Sequence, residues 1–276
     1  NNTAVGNDAL KVNTTGADNV AVGSGALDAN TTGTYLVAVG RSALTNATTG
    51  SNNVAIGRVA MEAATTAYNN VAVGTRSLDA CQSGGYSTAI GDGALSAYTG
   101  SEQTACGANA LAECTTGYDN TAVGVSALKN TTTGAHNTAV GDDALKNNTT
   151  GNSNTAIGKQ ALVTSTTSSY CTAVGKDALY ANTADNNTAV GHDALTACTT
   201  GINNTAVGAT TLDGVTTGGH NTGVGLAAMG ALTTGGNNVA VGSYVMDIGT
   251  GFNYNVAMGH DTARQITTGS NNVCLG

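Results

Sequence analysis

Apolar and polar positions along this chain follow one motif, repeated at a fixed long period. The run Asn-(Thr/Val)-Ala-(Val/Ile), with variants, precedes a glycine at Gly6, Gly23, Gly40, Gly57, Gly74, Gly91, Gly107, Gly124, Gly141, Gly158, Gly175, Gly191, Gly208, Gly225, Gly242, Gly259 and Gly276. Successive spacings are 17 residues, except two of 16 (Gly91 to Gly107 and Gly175 to Gly191), so 17 glycines enclose 16 repeats. A fixed period this short marks a solenoid, in which each unit buries its apolar face only against its neighbours.

Within the motif, apolar residues alternate with the period of a strand. Thr or Val and the following Val or Ile share one face, and Ala takes the other. The larger residues are expected inside, as ladders of Val/Ile and Leu/Met, so that Asp in place of Val123 or Val140 would break the roll. The glycine turns the chain at a φ few other residues tolerate. The Ala-Leu or Ala-Met pair that follows (Ala9-Leu10, Ala43-Leu44, Ala60-Met61, Ala144-Leu145, Ala228-Met229) predicts a second strand. Thr-Thr-Gly then brings the chain back (Thr14-Thr15-Gly16, Thr115-Thr116-Gly117, Thr233-Thr234-Gly235). Helical repeats need roughly 30 or more residues per unit, so the period selects β-coils. The expected fold is all-β: a parallel β-solenoid of about 16 coils of 17 residues, one tandem-repeat domain over 1–276, cut from a longer fibre. At the spacing of neighbouring strands it would extend on the order of 75–80 Å.

Stacking places like residues on like. Asn stands four residues before the glycine at Asn2, Asn19, Asn53, Asn70, Asn120, Asn137, Asn154, Asn187, Asn204, Asn221, Asn238, Asn255 and Asn272, where side-chain amides can form a hydrogen-bonded ladder.

Composition narrows the class. The chain has 39 Gly, no Pro, no Trp and one Phe, and its apolar residues are mostly Ala and Val, so any core is thin and repeated. The net charge of −8 is spread without basic clusters, which argues against a nucleic-acid partner. No stretch approaches 18 apolar residues, so no membrane insertion is expected. Each coil offers few large apolar side chains against the entropy of ordering its residues. The Ala rows (Ala4, Ala21, Ala38, Ala55, Ala72 and Ala89, or Ala9, Ala26, Ala43 and Ala60) are therefore expected at a homotrimer interface.

At Asn53-Val54-Ala55-Ile56-Gly57 and Asn70-Val71-Ala72-Val73-Gly74 the chain resembles the YadA-like heads of trimeric autotransporter adhesins, which repeat Asn-Ser-Val-Ala-Ile-Gly. The resemblance runs through the whole chain at about five positions per repeat; the repeat is longer than the head motif, and Thr-Thr-Gly has no clear counterpart in it. Similar Asn-Thr-Ala-Val-Gly arrays look like those of phage tail fibres. The resemblance implies a left-handed β-roll and a trimeric, extracellular, receptor-facing rod on a cell surface or virion. Its partners would be copies of itself and a host-surface receptor or glycan.

Candidate chemistry is sparse. Asp8, Asp92, Asp142, Asp143, Asp177, Asp193 and Asp261 follow the glycine, but other coils place Ser24, Arg41, Arg58, Lys159 or Leu226 there. A stacked calcium roll needs several oxygen ligands in successive turns, so these are read as solvated turn residues. His136, His192, His220 and His260 never share a coil and are read as exposed turn histidines rather than zinc ligands. Cys81, Cys114 and Cys198 lie seven residues after the glycine in non-adjacent coils; Cys106 replaces a ladder Val/Ile, Cys171 a ladder Asn and Cys274 a strand Ala. Free, mostly buried thiols are expected. Glycosylation sequons occur at Asn13, Asn30, Asn46, Asn130, Asn147, Asn148, Asn186 and Asn203. No nucleophile, base or carboxylate pair stands apart from the repeat, so neither an enzyme nor a cofactor is expected.

Three function classes remain: a structural or adhesive extracellular rod, a filament whose subunits stack end to end, and an ice- or crystal-binding surface. The last is motivated by the Thr column Thr104, Thr121, Thr138, Thr155, Thr172, Thr188, Thr205 and Thr222, which the strand assignment turns away from solvent.

Overall fold

A computed structural model describes residues 1–276 and contains strands and turns but no helix. No helix is therefore long and apolar enough to cross a membrane. The fold is a parallel β-solenoid of about sixteen turns, with one short strand per coil.

The chain forms two compact units, Asn1–His136 and Asn137–Gly276. The first carries β1 (Asn2–Val5), β2 (Asn19–Val22), β3 (Val37–Val39), β4 (Val54–Ile56), β5 (Val71–Val73), β6 (Thr88–Ile90), β7 (Thr104–Cys106) and β8 (Thr121–Val123). The second carries β9 (Thr138–Val140), β10 (Thr155–Ile157), β11 (Thr172–Val174), β12 (Thr188–Val190), β13 (Thr205–Val207), β14 (Thr222–Val224), β15 (Val239–Val241), β16 (Val256–Met258) and β17 (Val273–Leu275). Within each unit successive strands pair in parallel with like on like, as in Ala38↔Ala55 of β3 and β4 and Ala156↔Ala173 of β10 and β11. β-branched residues flank a small one in these strands, which suits the pleated conformation.

The two 16-residue coils keep this register. Thr88 pairs with Thr104, and Thr172 with Thr188. The missing residue comes from the Thr-Thr-Gly corner, which reads Thr99-Gly100 and Thr183-Ala184 in these coils.

The expected second strand is absent. After each glycine the chain makes two tight turns, closed in the second coil by Ala26 N–H to Gly23 O (3.3 Å) and Asn30 N–H to Leu27 O (3.2 Å). The Leu of the Ala-Leu pair sits in the left-handed region, with φ of 54° at Leu27 and 49° at Leu44, so the segment cannot extend. Its amide still bonds across coils, from Leu27 N–H to Ala43 O at 3.1 Å.

The assignment of faces is also reversed. Ala21, Ala38, Ala55, Ala72 and Ala89 are fully buried, as are Ala26, Ala43 and Ala60 with Leu27, Leu44 and Met61. The flanking strand residues face outward, Val123 being 37% exposed. Apart from Ala4, which is exposed, and Ala9, which is half-buried, the Ala rows thus line the interior of each coil stack and cannot form an interface between chains. The interior is too narrow for the larger alternative. At Gly223, in the centre of β14, a methyl would already lie 3.3 Å from Cδ1 of the corner residue Leu212. Leu from the corner fills the coil to a depth that leaves the strand room for Ala and not for Val.

Candidate interaction surface

The outward strand positions form two columns. In the first unit one column runs Val20, Val37, Val54, Val71, Thr88, Thr104 and Thr121; the other runs Val22, Val39, Ile56, Val73, Ile90, Cys106 and Val123. In the second unit Thr138, Thr155, Thr172, Thr188, Thr205 and Thr222 form six consecutive in-register threonines beside Val140, Ile157, Val174, Val190, Val207 and Val224. No strand contains a charged residue, although the chain carries 9 basic and 17 acidic ones. Ile56, Ile90 and Ile157 are about 40% exposed, and continuous apolar exposure of this kind marks interaction surfaces. The Thr column, expected to point inward, shares this outward face.

Two features hold the face in place. The motif glycine supplies the first: Gly40 has φ 136°, and a Cβ there would lie 2.4 Å from Gly57 O of the next coil. Only glycine meets both the dihedral and the close stacking. The second is the Asn column. Nδ2 of Asn53 donates to Ala67 O at 2.7 Å, and its Oδ1 accepts from the backbone amide (3.0 Å) and Nδ2 (3.2 Å) of Asn70. The same pattern links Asn137 to Asn154, Asn187 to Asn204, Asn204 to Asn221, Asn221 to Asn238, Asn238 to Asn255 and Asn255 to Asn272. Asn2 and Asn19 enter through backbone acceptors, Gly16 O and Gly33 O, and Asn120 through Gly134 O. Where Asn is replaced the column adapts: Gln103 reaches Gly117 O at 2.7 Å and accepts from Asn120 N–H, Ser87 Oγ accepts from the Gln103 amide, Cys171 Sγ donates to Ala184 O, and Leu36 keeps only the backbone donor.

The sequon asparagines divide by burial. Asn46, Asn186 and Asn203 are exposed, and Asn13, Asn130 and Asn147 half-buried. Asn30 and Asn148 are fully buried in the corner, where Asn30 bonds Asn13 Oδ1 and the Gly33 backbone. A glycan on either would require the corner to open, so these two fail as acceptors on the folded chain.

Asp8, Asp143, Asp177, Asp193 and Asp261 occupy the left-handed position two residues after the glycine. All four histidines are exposed; Nδ1 of His192 lies 3.0 Å from Asp193 and that of His136 3.6 Å from Asp119. Among the cysteines, none of which is in a disulfide, Cys81, Cys114, Cys171 and Cys198 are buried, Cys274 is half-buried, and Cys106 is exposed on the outward column. Burial pushes the Cys114 thiol up to about 12 and that of Cys198 to about 11. The first unit has a groove of about 370 Å³ lined by Arg76, Lys129, Asp79 and Glu113 together with Gly93, Ala97 and Ala112. Burial raises the Asp79 carboxyl above its usual range, against opposing effects from its own backbone hydrogen bond and Arg76.

Sequence reasoning missed the tyrosines, although their phase was readable. Of 9 tyrosines, Tyr35, Tyr86, Tyr170 and Tyr254 stand five residues before the glycine, and Tyr68 and Tyr118 six. Tyr35, Tyr86, Tyr170 and Tyr254 hold φ between 55° and 60° yet are about 60% exposed. A bulky residue held there costs on the order of 1–3 kcal/mol, and exposure gains back little. Other coils fill the position with Asp18, Asn52, Asn69 or Asp119, which tolerate it better. Tyr68 packs edge-on to Tyr86 (centroids 5.4 Å apart, planes at 88°), and its ring covers Gly85, where a Cβ would lie 2.7 Å from Cε2.

Compared with known proteins, the chain matches no family model, no curated protein and no solved structure.

Proposed function

We propose that the chain is a segment of a structural and adhesive extracellular rod, the shaft or head of a trimeric surface adhesin or phage tail fibre. It acts without catalysis or cofactor, and its chains associate through the outward Thr/Val/Ile columns. The observation that carries this reading is the uncharged outward face on a chain of net charge −8. Flat ranks of identical β-branched side chains suit close packing against a second copy, and the absence of charge removes the cost of desolvating ions.

The test is light scattering coupled to size exclusion on the wild-type chain and on a triple variant, Ile157→Arg, Val174→Arg and Val190→Arg. The wild type should run at three times the chain mass, and the variant at one, with unchanged circular dichroism because these side chains face outward. A stable wild-type monomer in dilute solution would defeat the reading, and an open-ended mass distribution would favour an end-to-end filament.

A second reading is favoured by one observation. The six in-register threonines of β9–β14 point outward, so the second unit presents a regular hydroxyl-and-methyl array suited to an ordered crystal surface such as ice. Thermal hysteresis in the wild type, abolished by Thr172→Lys and Thr188→Lys, would establish it. Its absence would leave the rod.

A further inference from the structure

We propose that the tyrosine flank of the first unit binds a linear β-1,4-linked pyranose polysaccharide, uncharged or N-acetylated, laid along the stacking direction. This names a ligand class for the adhesive rod and rests on that reading. Tyr35, Tyr68, Tyr86 and Tyr118 project from one flank at successive intervals of two coils, one coil and two coils. At the strand spacing these are roughly 10, 5 and 10 Å. One pyranose of an extended β-1,4 chain is about as long as one coil rise, so sugars can fall in step with the coils. The axial C–H faces of the sugars then stack on the exposed rings of Tyr35, Tyr86 and Tyr118, while Tyr68, set at 88° to Tyr86, braces that ring and meets the chain with its edge.

The residues between the rings suit the same ligand. Exposed Asn52 and Asn69 offer donors and acceptors for hydroxyls and acetamido groups, and half-buried Ser51 and Ser101, whose oxygens accept from Thr34 and Gly85, keep their hydroxyl hydrogens to donate. At the two flank positions the first unit carries Asp18, Glu102 and Asp119 and no Lys or Arg, with the chain's amino group 3.1 Å from Asp18 and His136 3.6 Å from Asp119; Glu102, between Tyr86 and Tyr118, disfavours uronic-acid and sulfated chains. Tyr35 and Tyr86 occupy a backbone position better suited to Asn and remain exposed; the edge contact with Tyr68 supports the ring at Tyr86, but neither conformational preference nor burial accounts for the one at Tyr35. The span from Tyr35 to Tyr118 covers six coils, which sets the preferred ligand at about six sugar units.

The experiment is titration calorimetry of the whole chain with cellohexaose, chitohexaose, cellobiose, maltohexaose and a polyuronate. The expected result is binding of cellohexaose or chitohexaose, with the stronger of the two identifying the sugar. Cellobiose should bind far more weakly, and maltohexaose and the polyuronate not measurably. Tyr68→Asn and Tyr86→Asn should each weaken binding roughly two- to tenfold. Tyr86→Trp should retain binding, and Tyr254→Asn in the second unit should leave it unchanged. Asn is the residue other coils use at this corner, so these variants should fold, which circular dichroism checks. No binding of either hexasaccharide, equal binding of maltohexaose, or Tyr68→Asn and Tyr86→Asn affinities within twofold of wild type would overturn the proposal. Light scattering on the same samples separates the two ideas: an assembled rod that binds no sugar sinks only this inference, whereas a monomer that binds sinks only the assembly.

Discussion

Cγ2 of Thr211 lies 2.7 Å from where a Cβ on Gly223 would stand. Both residues depart from the repeat: Thr211 takes the first position of an Ala-Leu pair, and Gly223 the central Ala of a strand. The larger residue on one side of the coil is matched by the smaller one opposite, and the interior volume is conserved.

This pairing should appear as coupling in a double-mutant cycle. Gly223 has no positive φ, so Gly223→Ala is penalised only by overpacking, expected at about 1–3 kcal/mol. Combined with Thr211→Ala, which restores the ordinary Ala pair, the same substitution should cost far less. Chemical denaturation of the two single variants and the double variant measures the interaction. Additive losses would place the conflict elsewhere.

The reversed faces give a sharper contrast between neighbours in β8. Ala122 is fully buried, whereas Val123 is 37% exposed. Ala122→Asp places an unpaired carboxylate inside the coil and should unfold several repeats. Val123→Asp should leave the coil folded and shift the melting temperature only slightly at neutral pH. Thermal melts followed by circular dichroism distinguish them, and equal loss in both variants would count against the burial pattern.

That contrast marks what the sequence could tell. The period, the obligatory glycine and the Asn column were readable because each is a one-residue signal repeated at a fixed phase. The inward face was not, because period-2 alternation separates two faces without naming the buried one. Hydrophobicity favoured Val39 and Val123 over Ala38 and Ala122; the available space, set by the buried corner leucines as Leu212 sets it at Gly223, decided for Ala. The false second strand has a similar cause. Nothing in the letters Ala43-Leu44 reveals that Leu44 adopts φ 49°, a region leucine seldom visits. The tyrosine flank, by contrast, was visible as a phase preference and was passed over because no motif accompanied it.

The Asn column should be worth more than its single hydrogen bonds suggest. Asn53→Ala removes the donor to Ala67 O and both acceptor contacts with Asn70, leaving a buried carbonyl and amide unpaired. Each stranded group costs about 1–3 kcal/mol. Hydrogen exchange should show the loss concentrated in the coils around β4 and β5, where the Asn70 amide becomes the least protected. Uniform loss of protection throughout the first unit would mean the column acts globally rather than between neighbours.

The buried thiols predict an alkaline limit. Cys114 has its pKa raised from 9.0 to about 12, chiefly by burial and opposed by a backbone hydrogen bond at Gly117, so the folded chain holds this proton after the unfolded chain has released it. Below pH 9 both states are protonated and stability does not depend on this group. Between about pH 9 and about pH 12 the unfolded state binds fewer protons, so stability should fall as pH rises, by up to about 1.4 kcal/mol per unit from this thiol. Tyr98, fully buried with its hydroxyl donating to Ser101 O and its pKa raised to about 12, adds to the same slope above about pH 10. Denaturation midpoints of the wild type and Cys114→Ala should therefore converge as pH is raised from about 8 to about 11. A constant difference across that range would mean that the thiol ionises in the folded chain as readily as in water.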